Sequence, residues 1–415
     1  MAREPSDGEV ERAMQLLPRL GQEMFTAGSE TRAIITALTA VAGRLGLRGL
    51  VVDPVGRSLY LMYRQNHKPP YTVLRVNPVT HDRDLSKLCV VYRLVEDLVR
   101  GRIDPVDGLK ELERRMKARF RIPYWARLLG GMFLAMAVYL QADGPASGLL
   151  VAAAMRFLVD QGGRLLSRTN LQAFYAVVGQ AMIIAGTGAA VFRLGASPAT
   201  VTAAVAANLV LLLPVLAVVS LTEDTVFGYP LTAAYRAVIV IRTLFALLAG
   251  IAIVNSFGAA AQTLEHGLVE VEFAPLPPAL MLLAAAVGAA GNVVLAGGGA
   301  GLLPVAIGAG MLAGAVKRIC LDQLAMTTPM AVLMAAVALG FAATWIGGRR
   351  RLPATAVIIP GISAALLPGS AVATAILRLG HEGGTLAALQ EVLVTTAAIG
   401  VGVVLGTTAG GRSAT

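Results

Sequence analysis

The sequence predicts a polytopic α-helical membrane protein of about ten transmembrane helices, arranged as a 5+5 inverted repeat, with an N-terminal cytoplasmic α+β domain. Two observations predict this fold. Only 14% of the 415 residues are charged and 56% are hydrophobic, whereas an average soluble protein has about 25% charged residues. Residues 1–120 also hold 35 of the 60 charged side chains, and residues 121–415 hold the other 25. The chain therefore divides into a water-soluble segment and a membrane segment.

The remaining composition argues against several classes of protein. The net charge is +10 and the pI is near 10.0, but no run of Lys and Arg interleaved with aromatic residues indicates a nucleic-acid surface. Cys89 and Cys320 are isolated in the sequence, so we predict no disulfide framework, no cysteine metal site and no cofactor. The polar N-terminus has no apolar segment typical of a cleaved secretory signal.

The soluble segment shows the pattern of a compact α+β domain. Apolar residues recur at helical spacing in two stretches within residues 9–46, with Ser29 as the expected cap of the second helix. Three short β-like runs follow, and then two further helical stretches. These five later elements are expected at Gly49–Asp53, Ser58–Tyr63, Tyr71–Val76, Leu85–Val99 and Pro105–Phe120.

A catalytic site in this domain would have to use a small set of loop residues. The candidates are His67, His81, Asp82, Asp84 and Cys89. Two histidines fourteen residues apart in loops are more typical of a solvated loop than of a site, and no hydrolase, zinc-protease, Walker or Rossmann motif accompanies them. We therefore predict that the protein is not an enzyme.

Ten apolar segments of the remaining chain are candidates for membrane spans, each of which needs about 20 residues. The second and seventh are short and rich in Gly and Ala. The segments are Tyr124–Gln141, Ala146–Val159, Leu171–Val191, Ala199–Leu221, Leu231–Phe257, Leu276–Ala296, Leu302–Val316, Pro329–Ile346, Ala354–Leu377 and Leu386–Thr407.

Basic residues predict the orientation of these spans. With the charged N-terminal domain inside, the Arg349–Arg351 run falls in a cytoplasmic loop and the acidic loop with Glu265, Glu270 and Glu272 falls outside. Cytoplasmic loops carry an excess of Lys and Arg. We therefore expect a multi-pass protein of the cell membrane with a cytoplasmic N-terminal domain.

The two halves of the membrane segment show a faint repeat. Gly148-Leu149-Leu150 opens the second candidate span and Gly301-Leu302-Leu303 opens the seventh; Pro214 and Pro360 lie in the fourth and ninth. Five spans per half is an odd number, so the halves must face opposite ways, as in many secondary transporters. The expected domains are 1–120, 121–258 and 259–408, followed by a short tail at 409–415.

Stretches at both ends of the chain resemble the threonine/serine exporter family in its fused, single-chain form. The N-terminal match is the run from Leu20 to Arg32 (LGQEMFTAGSETR), with agreement continuing to Leu85–Leu88. The C-terminal match comprises Arg351-Leu352-Pro353, Pro360-Gly361 and Leu367-Pro368-Gly369-Ser370. A departure is Pro214-Val215, where the family would have a proline–glycine pair.

The resemblance implies a cytoplasmic soluble domain, ten spans and export of small hydrophilic carboxylates driven by the proton motive force. Threonine and serine are the expected substrates, and split relatives implicated in dicarboxylate export make a succinate-type substrate the alternative. The implied partners are the substrate, protons and the lipid bilayer, with a possible homo-oligomer.

Two other function classes compete with export. One is a membrane-anchored hydrolase and the other is a sensor, with the soluble domain carrying the activity in both. A sensor whose membrane helices serve only as a scaffold needs no charge within the membrane. Several charged residues nevertheless lie in or beside the candidate spans, where each costs about 2.5–3.5 kcal/mol. These are Arg156, Asp160, Arg236, Arg242 and Glu391. Those near span ends have a simpler explanation, because long side chains can reach the interface.

Broken helices predict the place of the substrate. Ser197 to Tyr229 would form a helix of about 50 Å, longer than a membrane core of about 30 Å, so a break near Pro214 or Thr222 is required. Pro360 and Pro368 are expected to interrupt the ninth span. We predict that the two breaks face each other, with Arg236 pairing the substrate carboxylate; the alternative is that both breaks simply end helices at opposite surfaces. The predicted binding residues are Thr222, Arg236, Pro360, Gly361, Pro368, Gly369 and Ser370.

A proton-coupled exporter also needs a group that takes up and releases a proton. Asp224 and Glu391 are carboxylates in or near candidate spans, where ionisable groups are rare and commonly serve proton pathways. We predict that one of them carries the coupling proton. A solvated loop for Asp224 and a helix-end charge for Glu391 are the alternatives.

Overall fold

The computed structural model describes residues 5–65, 69–77, 84–169, 171–256, 277–369, 371–372 and 384–412, with the backbone alone at 384–389 and 412. His67, His81, Asp82 and Ser370, which the sequence singles out, lie outside the described residues. All statements below concern the described residues.

The N-terminal segment folds with the predicted element order. Its helices are α1 (Asp7–Ala27), α2 (Thr31–Arg44), α3 (Leu85–Val99) and α4 (Gly108–Ala118), and its strands are β1 (Val51–Val55), β2 (Ser58–Tyr63) and β3 (Tyr71–Val76). The antiparallel sheet has the order β1-β2-β3. On β2 the alternating residues Leu59, Leu61 and Tyr63 are buried, because successive strand side chains point to opposite faces. These three residues pack with apolar side chains of α1, α2, α3 and α4 in one core.

The caps of the first helices differ in part from the sequence prediction. The Ser6 side chain and the Glu9 side chain form a capping box at the start of α1, and Gly28 ends the helix at φ 93°, where an L side chain would be strained. The cap of α2 is Glu30 rather than the predicted Ser29. Gly28 has the left-handed backbone conformation that ends α1. Ser29 follows it and is still part of this helix end, because its N–H donates to the Met24 carbonyl. Helix α2 therefore begins one residue later than expected.

Two of the catalytic candidates have structural roles. The Asp84 carboxylate caps α3 by accepting from the backbone N–H of Lys87 at 2.9 Å, and it also pairs with Arg119. Burial raises the pKa of the Cys89 thiol to about 11, so the thiol is protonated at neutral pH and a poor nucleophile. Neither residue forms a reactive group.

The described residues from 124 onwards are mainly helical. These are α5 (Tyr124–Gln141), α6 (Leu149–Ser167), α7 (Ala173–Arg193), α8 (Pro198–Val210), α9 (Val215–Val226), α10 (Pro230–Ser256), α11 (Pro278–Leu295), α12 (Leu303–Asp322), α13 (Thr328–Arg350), α14 (Ala354–Gly361) and α15 (Gly384–Arg412). The Arg349–Arg351 run is not a loop: Arg349 and Arg350 end α13, and Arg349 stacks over the Trp345 ring at 3.7 Å.

Six described helices are long and apolar enough to cross a membrane, and the bent pair α8–α9 makes a possible seventh. The chain is therefore a polytopic helical membrane protein. The number ten predicted from the sequence includes α5, α6 and α14, which do not meet this criterion.

Glycines bring the helix backbones into close contact. A methyl group at Gly130 of α5 would lie 2.7 Å from the Gly291 carbonyl of α11, and one at Gly291 would lie 2.6 Å from the Gly130 carbonyl. On α15, methyl groups at Gly406 and Gly410 would meet successive parts of α13 near Val337 and Phe341. Since the contacted residue numbers rise together, α13 and α15 run parallel. Such small-residue contacts are typical of helix packing in lipid.

The helices of the second half begin at a nearly constant distance in sequence from those of the first. The separation is 154 to 156 residues for each pair of starting residues. The pairs are Tyr124 and Pro278, Leu149 and Leu303, Ala173 and Thr328, Pro198 and Ala354, and Pro230 and Gly384. A short 3₁₀ turn precedes both Leu149 and Leu303.

The N-terminal segment packs against one end of the helical bundle. Leu85 N donates to the Ala296 carbonyl after α11 at 2.9 Å. Arg351, after α13, lies 2.6 Å from both Glu96 and Asp97 of α3. The Thr232 hydroxyl at the start of α10 donates to the Pro54 carbonyl at 2.7 Å. The ends of α11 and α13 and the start of α10 therefore lie on one face of the bundle, which we call the domain face.

Candidate functional site

The first helix break lies between α8 and α9 and results from Pro214. In a continuous helix the Val210 carbonyl would accept from the N–H of residue 214, which proline lacks. Leu213 N donates to that carbonyl instead, at 3.1 Å, and the two helices are bent by 44°. The prediction of a break near Pro214 is confirmed, and the break lies in the apolar core of the bundle.

A buried polar group lies one turn before this break. The Asn208 side chain has no exposed surface and donates from Nδ2 to the Ala152 and Ala204 carbonyls at 3.2 and 3.0 Å. Its Oδ1 atom has no hydrogen-bond partner among the described residues. An acceptor left unsatisfied in the interior costs about 1–3 kcal/mol, so the first break has a polar atom available to a ligand.

The second break follows α14. The chain passes from Gly361 into a π turn at Ile362–Leu366 and leaves helical geometry at Leu367. In a regular helix the Ala364 carbonyl would accept from residue 368, but Pro368 has no N–H. The Ala365 carbonyl would accept from Gly369 N, but Gly369 N bonds to the Leu367 carbonyl instead, at 2.8 Å. Both alanine carbonyls accept side-chain donors instead: Gln141 Nε2 on Ala364 and Lys317 Nζ on Ala365, the latter at 3.2 Å.

Pro360 does not interrupt its helix, in contrast to the prediction. It lies inside α14, and the π turn that follows is one of the local adjustments that let a membrane helix accommodate proline. Gly361 packs on the Leu339 side chain of α13: a methyl group at Gly361 would lie 2.7 Å from that side chain. Gly369 packs near Ala142 and Val138. The proline at the second break is therefore Pro368, which lies 154 residues after Pro214, rather than Pro360.

The C-terminal end of α5 contacts both broken helices at different points. Tyr139, fully buried on α5, donates its hydroxyl to the Pro145 carbonyl at 2.8 Å, and a methyl group at Gly148 would clash with both Tyr139 and Thr200, in the first turn of α8. Gln141, two residues later, bonds to the π turn at the second break. The end of α5 therefore meets the start of the first broken helix and the break of the second.

A cavity of about 270 Å³ lies beside the second break. Its walls come from the end of α5, the start of α11 and the end of α12, and include Gln141, Met281, Leu282, Lys317, Arg318 and Asp322. Neither Gln141 nor Lys317 is among the binding residues predicted from the sequence. A signal was present, since Pro368 leaves the Ala364 carbonyl without an N–H, but nothing in the sequence shows which side chain would supply the donor.

Arg236 has a different partner from the one predicted. Its Nε lies 2.6 Å from Oδ2 of Asp224, and its Nη2 donates to the Thr31 hydroxyl of α2 at 3.2 Å. Asp224 is 1% exposed, and a buried carboxylate needs a charge partner. Arg236 is therefore paired with the protein's own carboxylate at the domain face, and its pairing with a substrate carboxylate stays a prediction.

Thr222 lies on the same helix as Asp224, two residues earlier, and the remaining described residues of the predicted site lie on other elements. Thr222 packs on α15, where a methyl group at Gly400 would lie 2.5 Å from its Oγ1. Glu391, nearer the start of α15 than Gly400, is exposed. The two groups are thus on different elements: Thr222 and Asp224 lie on α9, whereas Gly361 and Gly369 lie at the second break. Among the described residues, no group of three or more His, Cys, Asp or Glu could hold a metal ion.

Comparison with known proteins identifies the family. The model of a family described as "Putative threonine/serine exporter" matches residues 15–258, which is more than half of the chain. The chain belongs to the threonine/serine exporter family. A relative from Mycobacterium tuberculosis (strain ATCC 25618 / H37Rv), described as "Probable threonine/serine exporter", is 29% identical over 419 aligned residues, covering 96% of this chain and 77% of the relative.

No solved structure matches the exporter. The family resemblance predicted from the sequence is confirmed by both matches, which place the chain among transporters rather than enzymes. The exporter is thus a multi-pass membrane protein acting on a small molecule, and the hydrolase interpretation is wrong.

Proposed function

We propose that the protein exports threonine or serine across the cell membrane in exchange for protons, along a path between its two broken helices. The observation that carries this proposal is the pair of proline breaks at Pro214 and Pro368. Each interrupts the regular backbone hydrogen bonding of a helix inside the bundle, and corresponding broken helices near the midplane are typical substrate sites of secondary transporters.

The repeated helix spacing supports an inverted repeat. The starting residues of the two halves differ by 154 to 156, and Pro214 and Pro368 differ by 154. Equivalent helices also make equivalent contacts: α5 with α6 and α11 with α12, α7 with α10 and α13 with α15, α5 with α8 and α11 with α14. With five crossings per half, the second half is inverted relative to the first, which gives ten spans.

Charge explains why α5 and α6 fall short of the usual criterion for a span. Arg156 and Asp160 of α6 form an ion pair at 2.7 Å facing Gly131 of α5, so their charges compensate each other within the bundle. Arg127 of α5 donates to the Leu295 carbonyl at 2.8 Å, at the domain face. Paired or terminal charges are the ones a membrane helix tolerates.

The first break suits a zwitterionic amino acid. Helix α8 ends there with its last carbonyls, the negative end of its dipole, and α9 begins there with its first N–H groups, the positive end. An ammonium group fits the first and a carboxylate fits the second. A dicarboxylate has no group for the carbonyl end, which favours threonine or serine over a succinate-type substrate.

The N-terminal domain is proposed to be cytoplasmic. It packs on the domain face, where Arg349, Arg350 and Arg351 also lie, and an excess of basic residues is characteristic of the cytoplasmic side. Its contacts with α10, α11 and α13 would let it respond to movements of the helix ends.

The test is counterflow in proteoliposomes that contain the purified protein. Labelled L-threonine, L-serine and succinate are offered to vesicles preloaded with the same unlabelled compound, with and without a pH gradient. We expect exchange of threonine or serine and net transport that follows the gradient. Exchange of succinate alone would identify a dicarboxylate exporter, and no exchange of any of the three by folded protein would contradict the proposal.

A further inference from the structure

The cavity beside the second break lies at the end of the bundle opposite to the domain face. Its walls include the last turns of α12, around Lys317 and Asp322, and the first turn of α11, at Pro278. Helix α11 ends beside the N-terminal domain, and its start is about 27 Å away for 18 residues at 1.5 Å each. The cavity is therefore on the release side of an exporter whose N-terminal domain is cytoplasmic.

Lys317 is held at the inner wall of this cavity rather than extended towards its rim. Its ammonium donates to the Ala365 carbonyl of the π turn at 3.2 Å, next to the Ala364 carbonyl held by Gln141. An ammonium group has three donors, and one of them is used at Ala365. The charge thus lies where the broken helix ends and where the cavity begins.

The other charges of the cavity largely compensate each other. Arg318 Nε lies 2.5 Å from Asp322 Oδ2, one turn further along α12, so Lys317 is the excess positive charge among the described lining residues. The remaining walls, at Met281 and Leu282, are apolar.

We propose that this cavity is a release site in which Lys317 binds the carboxylate of the departing amino acid. This inference rests on the proposed export function and names the group that recognises the substrate on the far side. A carboxylate gains a charge-assisted hydrogen bond from Lys317.

The experiment measures, for each side of the membrane separately, the L-threonine concentration that gives half-maximal exchange in proteoliposomes of known orientation. We expect Lys317→Gln to raise this concentration at least tenfold on the side opposite to the N-terminal domain and by less than twofold on the other side. Lys317→Arg keeps the charge and should retain most of the affinity.

The matched control is Arg193→Gln, which removes an exposed positive charge at the end of α7 without touching the cavity. Tested on the side opposite to the N-terminal domain, L-threoninol, which lacks the carboxylate, should compete at least tenfold more weakly than L-threonine against the unmodified protein, and this difference should be several-fold smaller against Lys317→Gln. Unchanged half-saturation in Lys317→Gln, or equal changes on both sides, would contradict the release site while leaving export intact. Absence of exchange by the unmodified protein would contradict export itself, and the release site with it.

Discussion

Arg236 Nε lies 2.6 Å from Asp224 Oδ2 and thereby joins the last turn of α9 to the second turn of α10. The same guanidinium donates to the Thr31 hydroxyl of α2. One buried ion pair therefore connects the end of the broken helix to the N-terminal domain.

Removing the carboxylate of this pair should destabilise the protein strongly. We expect Asp224→Asn to lower the free energy of unfolding by about 3–5 kcal/mol, because Arg236 would remain buried without a charge partner. The double variant Asp224→Asn with Arg236→Met should recover much of the loss. The control Asp322→Asn breaks the more exposed pair with Arg318 and should cost less than about 1 kcal/mol. Denaturant unfolding in detergent measures all three, and an unchanged Asp224→Asn would show that the pair contributes nothing.

Proton coupling is predicted to depend on Asp224 or Glu391. The variants Glu391→Gln and Asp224→Asn, singly and together, should identify which carboxyl group is needed for transport driven by a pH gradient. Exchange of labelled threonine without a gradient is the control, because it needs the substrate path but no net proton movement. If the double variant keeps its full response to the gradient, the coupling group lies elsewhere in the chain.

Close packing of α13 and α15 should make Gly406 intolerant of any side chain. A methyl group there would lie 2.2 Å from the Val337 carbonyl oxygen, and backbone atoms cannot move aside as a flexible side chain can. We expect Gly406→Ala to cost about 1–3 kcal/mol or to prevent folding. The matched control is Gly411→Ala on the same helix, which meets nothing within 4 Å and should leave the melting temperature unchanged or slightly higher. Similar melting temperatures for both variants would show that the helices are further apart.

The contact between Arg351 and α3 should be retained over the physiological pH range and lost in acid. Burial alone would raise the pKa of Asp97, but hydrogen bonds from Arg351, Arg115 and Arg102 hold it below its ordinary value. Because the folded pKa is lower than the unfolded one, the contribution to stability is complete above about pH 4 and disappears as the pH falls through the folded pKa.

Substitution of Arg351 tests this contact directly. Arg351→Gln should raise the pKa of Asp97 and increase hydrogen exchange of α3 at pH 7. Arg351→Gly removes the same ion pairs but relieves the left-handed backbone at φ 55°, so it separates the loss of charge from backbone strain. Equal protection of α3 in all three proteins would show that Arg351 does not hold the domain.

The proposed topology predicts which introduced cysteines react in intact cells. In a protein with Cys89 and Cys320 replaced, Leu194→Cys at the end of α7, where the side chain is 87% exposed, should react with an impermeant thiol reagent. Glu113→Cys, on the exposed face of α4, should react only after the membrane is permeabilised. Labelling of Glu113→Cys in intact cells would reverse the orientation.

The sequence by itself determined the membrane class, the family, the order of elements in the N-terminal segment and the break at Pro214. These features depend on local properties: the length of apolar runs, the alternation of Leu59 and Leu61 on a strand, and the missing N–H of a proline. Each acts over a few residues, so it can be recognised without knowledge of the rest of the chain.

Only the tertiary structure decided which groups meet at the sites. Arg236 pairs with Asp224 and bonds to Thr31. Lys317 and Gln141 donate to the two alanine carbonyls that lack a backbone N–H donor at the second break. These partners are 12 to 223 positions apart, and the sequence shows that a polar group needs a partner without showing which one folding will supply. The partner depends on the packing of helices whose apolar faces are much alike, and close contacts between glycine backbones such as Gly130 and Gly291 set that packing.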